Sequence, residues 1–477
     1  DEGRKTWQRM ATISWFGHVA GILGVISTLF YLIYTHNYQY HYVWSHSSNE
    51  LPVYYMISCF WEGQEGSFLL WTIWHGVLGS LLYFTAKAWR DIVMSIVASV
   101  NLILASMILG VYVPEGLAKG LFILALLLPM AYLTRLLLRG QDGMASRGLI
   151  HIGAIFCGLF AILITLLGKT GFMVDGLATV TTPGTPIGYI LAFFFAALMA
   201  VAILVLTIRH IGSAERKRLD TKELFAHLIL LTLALAVMFA DFGTWKIGSS
   251  PFLLLKDAFK NAPIFASDPN FMPANGKGLN SLLQNYWMVI HPPTLFLGFA
   301  STVVPFAFVI GGLIQGKYTE WVRPSSSWMI FSVAILGVGI IMGGYWAYET
   351  LNFGGYWNWD PVENGSLVPW ILGIAALHGV VAYRKSKSFL PFTMAMVVSV
   401  FLMVLYSTFL TRSGILGETS VHTFTDLGLS GQLLALLFVY LFLIQALFVA
   451  RVKDFPAAGK VVQFNSAEFV VFLGVLA

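Results

Sequence analysis

Three separate stretches hold the residues that could do chemistry. The run Trp346–Trp370 contains four tryptophans, with Tyr348, Phe353 and Tyr356 among them and no lysine or arginine. Indole faces offer large apolar surface with one polar edge, which suits a planar macrocycle. Gly354 and Gly355 let backbone approach a flat ligand closely. Two readings stand for this run: an interfacial aromatic belt that anchors helix ends, or a ligand platform built from Phe353, Gly354, Gly355, Tyr356, Trp357 and Trp359. Upstream lies His291-Pro292-Pro293, and downstream His422. A lone histidine is more often solvated or hydrogen-bonded than a ligand. This pair gains weight because it brackets the aromatic run, and two imidazoles can ligate a heme iron. Prolines suit a first helical turn, so His291 is expected just outside a span, rigidly held. Arg412 could pair a propionate carboxylate or anchor a helix end. Asp360, Pro361 and Glu363 have the spacing of an N-cap, a first-turn proline and an N3 acid, a capping box for the helix that follows.

The elements that must position these residues are membrane spans. The 477 residues are 57% hydrophobic and only 11% charged, against roughly a quarter charged in soluble domains. A formal charge of +5 gives no reason to expect a nucleic-acid partner. Cys59 and Cys157 form no CxxC or CxxCH, which excludes a thioredoxin-like protein and a c-type cytochrome. Cys59 is read as lying in a connection. Apolar runs near the ~20 residues a helix needs to cross a bilayer fall at 15–35, 67–85, 92–113, 117–137, 149–168, 188–208, 226–242, 293–315, 328–346, 367–383, 390–410, 431–450 and from 469 onward. The expectation is an all-α polytopic transmembrane bundle of about 13 spans. The chain starts without Met and stops inside an apolar run, so it is read as a piece of a longer protein.

Charge gives the orientation. One alternate set of connections carries 21 of the 28 basic residues, the other 7. Basic residues collect on the cytoplasmic side, which puts His291, the aromatic run and His422 on the outer face. Inside the membrane, ionisable residues are functional candidates. His75 falls mid-span, while His18, His151, His227 and His378 fall near inner span ends.

The run Trp346-Ala347-Tyr348, Gly354 through Asn364, and Pro369-Trp370 resembles the WWD motif of heme-handling membrane proteins. Its Asp360-Pro361-Val362-Glu363-Asn364 ending resembles the CcmF type, the heme lyase of cytochrome c maturation. Leu51-Pro52-Val53-Tyr54-Tyr55, Glu65-Gly66-Ser67, Leu279 through Gln284, His291-Pro292-Pro293 and Arg412-Ser413-Gly414 resemble the same family, in its order. Phe353 and Tyr356 stand where that family usually has tryptophan. The resemblance implies that His291 and His422 ligate the transferred heme. It implies that His378 ligates a resident heme b whose second ligand lies past residue 477. The implied partners are a CcmE-type heme chaperone, a CcmH-type thiol-handling subunit, apocytochrome c, membrane lipid and quinol. The implied location is the bacterial inner membrane, with the WWD loop facing the periplasm. The implied organisation is N-terminal spans at 1–113, extra spans at 114–245, a heme-handling core at 246–450 and the start of a C-terminal part at 451–477.

Two other classes compete. A transporter of heme or another small solute would put polar residues and broken helices at mid-membrane depth. A proton-pumping subunit would need lysine or glutamate within several spans. This sequence keeps its distinctive residues at the outer surface, and no Ser-His-Asp or Cys-His nucleophile set is evident.

Overall fold

The computed structural model describes residues 2–113, 127, 245–350, 355–416, 429–451, 454–456, 466, 469–470 and 474. Among these, eight helices are long and apolar enough to cross a membrane, matching the eight apolar runs read there from hydropathy. The runs at 117–137, 149–168, 188–208 and 226–242, with Phe353, Gly354 and His422, lie outside the described residues. The chain is a polytopic membrane protein of the all-α class.

Helix α1 spans Glu2–Tyr34, followed by α2 (His41–His46), α3 (Val53–Glu62), α4 (Gln64–Thr85) and α5 (Arg90–Ser106). Strands β1 (Val111–Val113) and β2 (Trp245–Ile247) form a two-stranded ribbon. Short helices α6 (Leu255–Ala258) and α7 (Pro263–Ser267) lie in the loop before α8 (Tyr286–Ser301). Then come α9 (Val303–Gln315), α10 (Val322–Glu349), α11 (Pro361–Ser386), α12 (Leu390–Arg412) and α13 (Ser430–Arg451). Two compact units are distinguished. One comprises Asp1–Val111, Ile247–Leu433 and Asp454–Ala477, and the other Tyr112–Lys246 and Leu434–Lys453. The candidate site belongs to the first.

Within that unit α8 runs along α10, α11 along α12, and α4 along α5. Helix α9 packs on α5, α12 and α10, and every residue from Val303 to Leu313 is buried. A helix that is apolar all round belongs in such a centre.

Two expectations about element ends are corrected. Helix α1 begins at Glu2 rather than near 15, so His18 lies mid-helix instead of at an inner end. Cys59 lies, as expected, in the connection between two spans, buried within its short helix α3. Helix α8 begins at Tyr286, capped by the Asn285 side chain, which accepts from the Trp287 amide at 3.0 Å. Pro292 and Pro293 are therefore interior, and His291 sits in the second turn rather than outside the span. An interior proline strips a carbonyl of its helical donor. Here Pro292 cannot serve Met288, and the Trp61 indole does so instead, donating to the Met288 carbonyl at 2.8 Å. Trp74 donates to the Pro293 carbonyl at 3.0 Å. The Trp61 side chain of α3 thus makes Pro292 tolerable, as membrane helices require.

Candidate functional site

Helices α8 and α10 approach closely because α10 presents Gly339 and Gly343 to α8, a GxxxG spacing that admits a neighbouring backbone. A Cβ on Gly339 would lie 2.9 Å from the Leu295 Cα, and one on Gly343 would lie 2.8 Å from the His291 Cε1. The imidazole occupies the notch at Gly343. His291 Nδ1 lies 2.9 Å from the Gly339 carbonyl oxygen. A carbonyl only accepts, so Nδ1 carries the proton and Nε2 the lone pair. Ligating histidines are characteristically fixed this way. The Trp346 ring lies beside His291, centroids 5.9 Å apart.

The start of α8 and the end of α10 are clasped by Glu349, which accepts from the Tyr286 hydroxyl at 3.0 Å and from the Asn285 amide at 3.4 Å. Trp287 stacks on Tyr345 at 5.8 Å. Tyr356 returns over this end, stacked on Tyr348 at 4.3 Å and edge-on to Tyr345 at 5.6 Å. Trp357 and Trp359 meet edge to face at 6.2 Å. Two aromatic groups result, one of Tyr286, Trp287, Tyr345, Tyr348 and Tyr356 and one of Trp357 and Trp359, in which Tyr286, Tyr345, Tyr348, Tyr356 and Trp359 are exposed, Trp359 to 71%. Trp359 also holds φ at +56°, a left-handed conformation uncommon for such a side chain.

What fixes Trp359 is the start of α11. Asp360 accepts from the Val362 amide at 2.7 Å, and Glu363 reaches back to the amides of Asp360 at 3.2 Å and Asn358 at 2.9 Å. Asn364 donates to the Trp359 carbonyl at 3.0 Å. The expected capping box is present and covers more of the loop than its motif implies, through Asn358. The indole Nε1 of Trp357 and the Thr350 hydroxyl are buried without a partner among the described residues.

The structure thus gathers His291, Gly355, Tyr356, Trp357, Trp359 and Asp360 at one end of α8, α10 and α11. Arg412 sits elsewhere. It is 9% exposed at the end of α12, donates to the Ser67 hydroxyl at 2.6 Å, and lies over the Phe68 and Phe296 rings at 5.9 and 5.8 Å. Its carbonyl accepts from Gln64 at 3.1 Å. A cavity of about 90 Å³ separates it from Val362 and Ser366 of α11's first turns. His378 lies apart from both, exposed on α11, its Nδ1 2.8 Å from the Ile374 carbonyl. Among the described residues no group of three or more His, Cys, Asp or Glu could hold a bare metal ion. Sequence reasoning missed Glu349, Trp287, Tyr345 and Gly343. Only Glu349 left a signal, as a lone carboxylate closing an apolar run.

Together these features define a polytopic membrane protein with an exposed aromatic loop at the ends of α8, α10 and α11. Residues 191–416 match the family described as Cytochrome C assembly protein. The cytochrome c-type biogenesis protein CcmF of Pseudomonas fluorescens is 38% identical over 199 residues, 42% of this chain and 28% of that protein. CcmF of Escherichia coli K12 is 35% identical over 207 residues, 43% of this chain and 30% of the relative. The matched stretch therefore spans less than a third of these relatives. A solved chain named Cytochrome c Heme Lyase CcmF is 23% identical, covering 76% of this chain and 53% of its own, with a TM-score of 0.33.

Proposed function

We propose that this chain forms the heme-presenting part of a CcmF-type cytochrome c heme lyase. The observation that carries the reading is His291: its Nδ1 proton is committed to Gly339, and its ring lies beside Trp346, in the end of α10 whose Tyr345 and Tyr348 meet Tyr356. Heme, the substrate, lies with one face on Tyr356, Trp357 and Trp359, with Phe353, Gly354 and Gly355 beside it. Its iron is held by His291 Nε2 and by His422. The unpartnered donors of Trp357 and Thr350 suit its carboxylates. Arg412 acts by bracing α12 against Ser67, as a positioning residue. The two thiols of an apocytochrome CxxCH segment add across the heme vinyl groups. Each S–H hydrogen goes to the terminal vinyl carbon, and each sulfur forms the thioether. This chain supplies orientation rather than a nucleophile.

His378 fits an axial ligand of a resident heme b. It is exposed among the exposed Ile371 and Val381 on an apolar helix face, and its Nδ1 is committed. The second ligand would come from outside this sequence, and the bound group would supply one electron to the incoming heme iron, drawn from quinol. A CcmE-type chaperone delivers heme, and a CcmH-type subunit presents the apocytochrome thiols. The charge asymmetry supports an inner-membrane protein with its platform facing the periplasm. Residues 246–450 form the heme-handling core, 1–113 its N-terminal support and 114–245 an addition.

The test is heme content and holocytochrome c yield in three variants. His291→Ala and His422→Ala should each lower yield about tenfold or more while retaining the b-type spectrum. His378→Ala should lose that spectrum. Normal yield in both of the first two would sink the ligand assignment.

A further inference from the structure

Away from the platform, a cleft of about 590 Å³ lies between α1 and α5, with Tyr83 of α4 at its edge. It follows α1 from Gln8 to His18 and α5 from Asp91 to Leu102, about 15 Å along each helix. That is roughly half of a 30 Å hydrocarbon layer, or one leaflet. The cleft is graded along its length. At the end carrying Lys5, Arg9 and Lys87 its polar groups are Gln8, Thr12, Tyr83, Arg90 and Asp91. Toward the bilayer middle it turns to Trp15, Met94, Ala98 and Leu102, with Ser14, Ser95 and His18 also lining it, His18 held by Asn101 at 3.1 Å.

The polar end holds both signs of charge in fixed positions. Asp91 accepts from Gln8 of α1 at 2.9 Å. Arg90 turns its Nε toward Asp91 at 3.4 Å and lies over the Tyr83 ring at 5.1 Å. The Tyr83 hydroxyl is paired with Thr12 at 3.1 Å. With Nε spent on Asp91, the Arg90 Nη pair forms a fork suited to a phosphate. A carboxylate can accept further hydrogen bonds, so Asp91 suits an ammonium beside it. A lipid tail gains little by leaving other tails for a helix cleft, so selectivity must come from this charged end.

We propose that the α1–α5 cleft is a binding site for one phospholipid of the leaflet at its basic end, selective for a zwitterionic head with a primary ammonium, as in phosphatidylethanolamine. The phosphate lies on Arg90, the ammonium on Asp91, and one chain runs along Ala98 toward Leu102. An acidic head would meet Asp91 with no cation to offer. A quaternary ammonium could not donate a hydrogen bond to it. The assignment is independent of the heme reading.

The experiment is native mass spectrometry of the purified, delipidated full chain titrated with phosphatidylethanolamine, phosphatidylcholine and phosphatidylglycerol of identical acyl chains. Phosphatidylethanolamine should be retained most. Arg90→Gln should lower retention of all three about five- to tenfold. Asp91→Asn should erase the preference over phosphatidylglycerol alone. Ala98→Trp, filling the cleft, should abolish retention at an unchanged melting temperature. Should that variant fold poorly, the two polar variants still decide. Equal retention of the three lipids, preference for phosphatidylglycerol, or no retention because another segment fills the cleft would each overturn the proposal.

Discussion

At the scale of single residues, Glu62 stands out at the joint between α3 and α4, outside the spans. One of its carboxylate oxygens is buried with no partner among the described residues. Burial raises its pKa from 4.5 to about 8, opposed by a hydrogen bond from the Asn280 backbone. Between those two values the folded state holds a proton that the unfolded chain has released, so stability falls as pH rises through that window and levels above it. Nearby His46 works from the other side. Burial lowers its pKa from 6.5 to about 4, so it costs stability as pH falls between those values. Glu62→Gln should flatten the decline in melting temperature between pH 6 and 8; parallel profiles for variant and parent would refute this. At this scale the sequence was legible only where partners are neighbours. Asp360 and Glu363 could be read as a cap because capping spans three residues. Glu349 and Arg412 could not be assigned, because Tyr286 lies 63 residues from the one and Ser67 345 from the other.

Elements were legible in their existence and less so in their ends. Hydropathy registers hydrocarbon rather than helix, so it placed the start of α1 too late, past polar residues that are nonetheless helical. The prolines after His291 suggested a helix start by the ordinary positional rule. That reading failed because the carbonyl freed by Pro292 is satisfied by Trp61, which is 227 residues from it in sequence. Two variants probe how elements hold the platform. Asp360→Ala removes the acceptor for the Val362 amide and should cost about 1 kcal/mol, with Asp360→Asn restoring most of it. Thermal melting of the purified protein measures both, and heme retention should follow the same order if the cap fixes the loop. Gly343→Ala puts a methyl against the His291 ring. Overpacking of this kind typically costs about 1–3 kcal/mol. The imidazole should be displaced from its bond to Gly339, seen as a lowered melting temperature together with weaker heme retention. Unchanged heme retention in a normally folded Gly343→Ala protein would count against His291 as a ligand.

For the molecule as a whole, the distribution of lysine and arginine predicts an orientation. Lys260, in the loop before α8, and Lys385, at the end of α11, are both exposed and fall on opposite sides by that reading. With Cys59 and Cys157 replaced by alanine, Lys260→Cys should react with an impermeant thiol reagent added to spheroplasts, and Lys385→Cys only after lysis. The reverse pattern would invert the topology and remove the platform from the periplasm. The bundle character was legible at this scale from composition alone. The convergence of α8, α10 and α11 under one aromatic roof was not, since no periodicity within a helix says which neighbour it will meet.

The ribbon of β1 and β2 has a consequence for how the chain can vary. Val111–Val113 and Trp245–Ile247 are neighbouring strands, which lie about 5 Å apart. The intervening residues therefore depart from and return to nearly one point. Loop-closure entropy changes only slowly with the length of chain between two fixed ends. Closing the chain between these two strands would thus cost little more if that chain were lengthened. The ribbon is a point at which sequence length can vary while its two strands stay paired.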